Sequence, residues 1–116
     1  MPVLTIYGLT NESELMLQKL REKLCEAVAS VEALELTAKQ VSVFFPVNKA
    51  EKPFYKETIC FVDGLFEKPE RTEDIRNQLA SVIGKLLKFE NPNDLVEVFV
   101  RSFHPVQGFW TSAKEE

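Results

Sequence analysis

An α+β fold, with four strands in one mixed sheet and two helices on a single face, is predicted by three observations on this 116-residue chain. Strand-like and helix-like patterns follow one another in the order strand, helix, strand, strand, helix, strand. The second half of that order echoes the first in sequence. Only two apolar stripes of helical period are present, so one face of the sheet has no cover within the chain.

The opening run VLTIYGL is rich in β-formers and reads as a buried strand. Thr10 and Asn11, with Glu12 and Glu14 behind them, form a helix-start signature. Leu17, Leu20, Leu24, Val28 and Val31 then recur at helical spacing, with Glu, Lys and Arg on the other side. LELTAK leads out of this helix into VSVFFPV, a second strand that Pro46 brings to its end, because proline has no N–H to donate to a ladder.

KAEKPFYK is a polar connection, in which Phe54 and Tyr55 are expected to pack inward. ETICFVDGLF reads as the third strand and EKPERTED as the turn into the second helix. Thr72 caps that helix, Glu73 and Asp74 complement its positive end, and Lys85 and Lys88 lie near its negative end. Ile75, Leu79, Val82, Ile83 and Leu86 form its apolar stripe. FENPND ends it, LVEVFVRSF is the fourth strand, and HPVQGFWTSAKEE is a tail in which His104-Pro105 makes a turn.

Gly8-Leu9 closes the first strand and Gly64-Leu65 the third, while Val41-Ser42-Val43 opens the second and Val96-Glu97-Val98 the fourth. The separations from Gly8 to Val41 and from Gly64 to Val96 are 33 and 32 residues. Residues 1–116 therefore read as one domain of two strand–helix–parallel strand units, about 1–50 and 51–116, each closed by a right-handed crossover.

Apolar residues make up 45% of the chain, charged residues 28%, and the net charge is −4. Lys and Arg are scattered, which speaks against a nucleic-acid surface. No apolar run approaches the roughly 20 residues that cross a bilayer, and the first residues do not read as a secretion signal. Cys25 and Cys60 lie far apart without metal-ligand spacing, which suggests reduced core residues in a cytoplasmic protein. No phosphate-cradling loop, metal cluster or nucleophile triad is visible, so neither metal nor cofactor is expected.

In the last strand Val96, Val98 and Val100 suit the helix side, which turns Glu97, Phe99 and Arg101 to the open side. In the second strand Val41, Val43 and Phe45 alternate in the same way with Ser42 and Phe44. A partly apolar open face is expected to be buried by another subunit.

Pro2 stands at the head of the first strand. With Met1 in place its nitrogen is a tertiary amide. Removal of Met1 frees a secondary amine, and an exposed chain amine has a pKa of about 7.7–8.0. Burial and nearby cations both favour its neutral form, and Leu4, Phe44 or Phe99 are placed to supply the desolvation. Favouring the neutral form tenfold takes about 1.4 kcal/mol. A neutral amine there can take a proton from a carbon next to a carbonyl and return it elsewhere. A second group must hold a carboxylate or steady the enolate oxygen.

Pro2 at a strand head, the doubled unit and the uncovered sheet face together resemble the tautomerase superfamily, which includes macrophage migration inhibitory factor and the 5-carboxymethyl-2-hydroxymuconate isomerases. RSFHPVQGF is similar to the region after the last strand in those isomerases, and Gly108 with Phe109 and Trp110 is similar to the glycine-tryptophan near the end of the inhibitory factor. The resemblance implies a homotrimer with sheets wrapped around an axis and active sites near subunit boundaries, each built on the N-terminal proline. It implies keto–enol tautomerisation or isomerisation of a small keto or enol acid, without a cofactor.

The chain departs from the family pattern elsewhere. The muconate tautomerases place an arginine in the second strand, where KQVSVFF offers Gln40 and Ser42. The tyrosine and asparagine of the inhibitory factor's last strand are replaced around Glu97 and Phe99. Lys39, Arg71 and Arg101 are the available cations. Arg101 on the open face is the expected substrate-carboxylate partner, with Lys39 second and Phe99 beside them, and a Glu97–Arg101 ion pair is the structural alternative. Arg71, just before a helix cap, is expected to be exposed, and Phe109 and Trp110 to pack between subunits. Two other readings stay open: a catalytically silent ligand- or partner-binding protein of this fold, and a ferredoxin-like interaction module with the same element order.

Overall fold

Val3–Tyr7 forms β1, with Leu4 and Ile6 turned to the core and fully buried. The chain then builds α1 (Glu14–Ala29), β2 (Ser42–Phe44), β3 (Glu57–Phe66), α2 (Glu73–Glu90) and β4 (Leu95–Phe103). The computed structural model describes residues 1–9, 12–46 and 56–113. The start signature at Thr10-Asn11 falls outside these residues, and α1 itself is capped by Ser13, whose hydroxyl accepts the Met16 N–H at 3.2 Å. Two 3₁₀ turns, Glu32–Leu34 and Ala38–Gln40, carry the chain from α1 to β2. β2 is shorter than the apolar run suggests and ends two residues ahead of Pro46. β3 and β4 span the expected runs in full, and Thr72 caps α2 by accepting the Ile75 N–H. Phe54 and Tyr55 lie outside the described residues.

The sheet order is β2-β1-β3-β4. β1 and β2 are parallel, β3 and β4 are parallel, and β1 and β3 run antiparallel between them. The central register sets Val3 opposite Asp63 and Tyr7 opposite Ile59. A glycine stands at each end of this pair. Gly8 has φ +102°, and a Cβ there would lie 2.0 Å from the Glu57 carbonyl oxygen. Gly64 has φ +72°, and a Cβ there would lie 2.8 Å from the Met1 carbonyl oxygen. Each glycine lets the start of the opposite strand come close, in a backbone conformation that side chains disfavour.

Both helices cover one face. Leu20, Leu24 and Val28 of α1 and Leu79, Ile83 and Leu87 of α2 share one buried cluster with Leu4, Ile6, Val43, Cys60 and Val62 of the sheet. α2 comes close to β4 at Gly84, where a Cβ would meet Val98 Cγ2 at 3.6 Å. The opposite face carries Tyr7, Phe44 and Phe99, exposed at 44%, 57% and 46%. Among the described residues no helix is long and apolar enough to cross a membrane.

Replacing Gly8 by alanine drives a methyl into backbone as well as imposing a strained φ, whereas Gly108 (φ +78°) has nothing within 4 Å. Gly108→Ala should cost about 1–2 kcal/mol, and Gly8→Ala clearly more. Urea unfolding of the two variants measures the difference.

Candidate active site

The strand directions gather four chain ends at one edge of the domain: β1 and β2 begin there, and β3 and β4 finish there. Pro2 is buried, and its carbonyl accepts the Ser42 N–H at 3.1 Å, so it is clamped to the start of β2. Met1 is 59% exposed, with its carbonyl beside Gly64. Burial, then the Arg71 guanidinium, then Lys68 hold the Met1 amine below the usual pKa of a chain amine.

Arg71 is the residue that local sequence misjudges. It is only 7% exposed, against the expected surface position. Its Nη1 donates to the Phe66 carbonyl at 2.8 Å and its Nη2 to the Leu34 carbonyl at 3.0 Å. Phe66 ends β3 and Leu34 ends the first 3₁₀ turn, so one side chain joins two connections that are far apart in sequence. Its Nε is buried without a hydrogen-bond partner among the described residues. Burial pushes the Arg71 pKa down, while Glu70 and Glu35 hold it up. Lys68, exposed in the same β3–α2 turn, accepts the Arg71 N–H on its carbonyl at 2.9 Å.

Arg101 reaches the same end of the sheet on the open face, but it is engaged. Its Nε lies 2.6 Å and its Nη2 2.7 Å from the two carboxylate oxygens of Asp63, and its guanidinium sits 4.6 Å from the centre of the Phe61 ring. The hydrogen bond to Asp63 is the main reason its pKa is raised. The alternative partner, Glu97, is not used. Residues four apart on a strand are separated by about 13 Å, whereas Asp63 is a neighbour across β3 and β4.

Lys39 is exposed in the second 3₁₀ turn, three residues before Ser42. Phe99 lies one row further along the open face and stacks on Phe61 at 5.3 Å. A groove of about 500 Å³ passes round the β4 edge between Phe61, Phe99 and Arg101 and the α2 residues Arg76 and Asn77, and Pro2 is not among its lining residues. The structure thus brings Pro2, Lys39 and Arg101 to one end of the sheet and sets Phe99 apart. It adds Lys68 to the cations read from the sequence, and it buries Arg71, one of those cations, beside the chain end.

The tail begins with the expected turn, the Gln107 N–H bonding to the His104 carbonyl at 3.1 Å. Phe109 then packs edge-on to Phe66 at 4.8 Å, within a cluster that includes Phe103. Trp110 is 83% exposed.

No family model matches the chain, and no curated protein matches it in sequence. Solved structures do share its fold. Pt0534, in a crystal structure after inactivation by 2-oxo-3-pentynoate, superposes with a TM-score of 0.73 at 20% identity, over 95% of this chain and 92% of that one. A fused 4-OT, solved as an asymmetric trimer, gives 0.73 at 12% identity over 97% and 94%. Macrophage migration inhibitory factor of Toxoplasma gondii gives 0.66 at 11% identity over 96% and 97%. At these identities the likeness is one of fold.

Removing the Arg71 side chain takes a donor from the buried Leu34 carbonyl and from the part-buried Phe66 carbonyl, and a buried acceptor left unpaired costs about 1–3 kcal/mol. The Arg101–Asp63 pair lies in solvent, where an ion pair contributes little to stability. In urea unfolding, Arg71→Met should therefore lose several times more stability than Arg101→Met.

Proposed function

We propose, for a chain with the fold of the tautomerase superfamily, that the form lacking Met1 is a tautomerase acting on a small keto or enol acid, with Pro2 as general base. The observation that carries this reading is the buried seat of Pro2 at a chain end where the amine is held towards its neutral form. Met1 is largely exposed and its amine is already depressed. Losing it moves the amine one residue inward, to a buried position where desolvation favours the neutral form further.

The neutral proline nitrogen removes a proton from the carbon next to the substrate carbonyl, leaving an enolate. The ammonium form of Pro2 then returns that proton to another carbon or to oxygen, so the enzyme ends unchanged. A carboxylate on the substrate falls to the cations of this end of the sheet. Lys39 and Lys68 are exposed, whereas Arg101 must exchange Asp63 for the substrate. Phe99 with Phe61 offers an apolar wall on the open face.

The open face, with Tyr7, Phe44 and Phe99 exposed, is proposed to be covered in a homotrimer. The fused 4-OT neighbour is itself a trimer. A second reading, a silent ligand- or partner-binding protein, is favoured by one observation: the expected carboxylate partner Arg101 is tied up by Asp63.

Ketonisation of phenylenolpyruvate or a hydroxymuconate by processed protein separates the two. Pro2→Ala should lose about 10²–10⁴-fold in rate, the usual contribution of a general base, while equal rates in the two proteins would remove Pro2 as the base and no turnover by either would leave the silent reading. Light scattering at micromolar concentration should give the mass of three chains, and the mass of one would remove the trimer.

A further inference from the structure

Arg71 is a charged side chain inside the protein whose fork-like end serves two backbone carbonyls. Nothing in the proton-transfer chemistry above requires such an arrangement. The Leu34 carbonyl belongs to the α1–β2 connection and the Phe66 carbonyl to the end of β3. Between these segments runs the start of β1, held on one side by the Ser42 N–H and on the other by the close approach to Gly64. Arginine is suited to this task because its planar guanidinium donates in two fixed directions and keeps its charge when buried.

We propose that Arg71 is a positioning residue for the chain's amino terminus: it locks the two connections that flank the head of β1 and fixes a positive charge beside the terminal amine. Its consequence for catalysis rests on the Pro2 reading above, whereas the positioning itself does not.

Burial is the largest influence on the amine, and Arg71 is the largest of the charges that act on it. The β3–α2 turn supplies Lys68 and Arg71, with Glu70 acting against them, and the end of the first 3₁₀ turn supplies Glu35. β3 supplies Asp63, whose charge is met by Arg101 of β4. The second 3₁₀ turn supplies Lys39, exposed to water. Lys39 and Lys68 are screened by salt. Arg71, buried, is screened much less.

The test is an NMR titration of the terminal amine, in protein that keeps Met1 and in protein that begins at Pro2, for wild type, Arg71→Gln and Arg71→Lys. In both chain forms the midpoint should rise in Arg71→Gln and fall back towards wild type in Arg71→Lys. In the processed form the acid limb of kcat/KM should move to higher pH with it, so that activity on the limb falls while the high-pH plateau of kcat is kept. A purely structural role would lower kcat at every pH. An unchanged midpoint in folded Arg71→Gln overturns the proposal. If the midpoint moves while processed wild type shows no ketonisation, the Pro2 reading fails and the positioning role stands. Should Arg71→Gln not fold, wild type decides. At about 1 M salt burial and the buried charge together keep the amine below the usual value near 8, and a return to that value overturns the proposal.

Discussion

The antiparallel pairing of β1 with β3 is the constraint on which the site depends. It sets the head of β1 beside the tail of β3, with Val3 opposite Asp63. The segment leaving β3 must then start next to the amino terminus. That segment is the turn that holds Lys68 and Arg71 and opens α2. The parallel partners complete the arrangement, β2 beginning beside β1 and β4 finishing beside β3. The close approach is sterically possible because Gly8 and Gly64 stand at the two ends of the central pair.

Within that frame the charges divide into two sets. On the open face Arg101 is neutralised by Asp63 in a two-point contact and lies over Phe61. On the inner side Arg71 has no carboxylate partner among the described residues and spends its donors on carbonyls. The positive charges that act on the terminal amine, Arg71 and Lys68, are thus ones without an ion-pair partner among the described residues. This is why a chain of net charge −4 can hold its amino terminus in a locally positive setting.

Much of the fold was legible in the sequence because its signals were local. The alternation in LVEVFVRSF assigned the two faces of β4, and the Thr72 cap with Glu73 and Asp74 marked the start of α2. The exposed face of Phe44 and Phe99 could be read from the same alternation. The site was legible only in part. Pro2 announced itself by position. Arg71 was read as an exposed cation, because the Leu34 carbonyl that its guanidinium serves is 37 residues away in sequence. Asp63 was missed as the partner of Arg101 for a like reason, since strand order and register decide who sits across from whom, and neither is written in a single strand. Ser13 as the α1 cap shows the smaller error: several capping residues in a row leave the first turn undecided until the apolar face is packed.

The central claim is that the protein works through a free amine at Pro2. Intact mass of the untagged protein, purified from the cells that naturally make it, tests this most directly. Catalysis by Pro2 predicts a mass short of the full sequence by one methionine. A mass that retains Met1 would leave the Pro2 nitrogen an amide and contradict it.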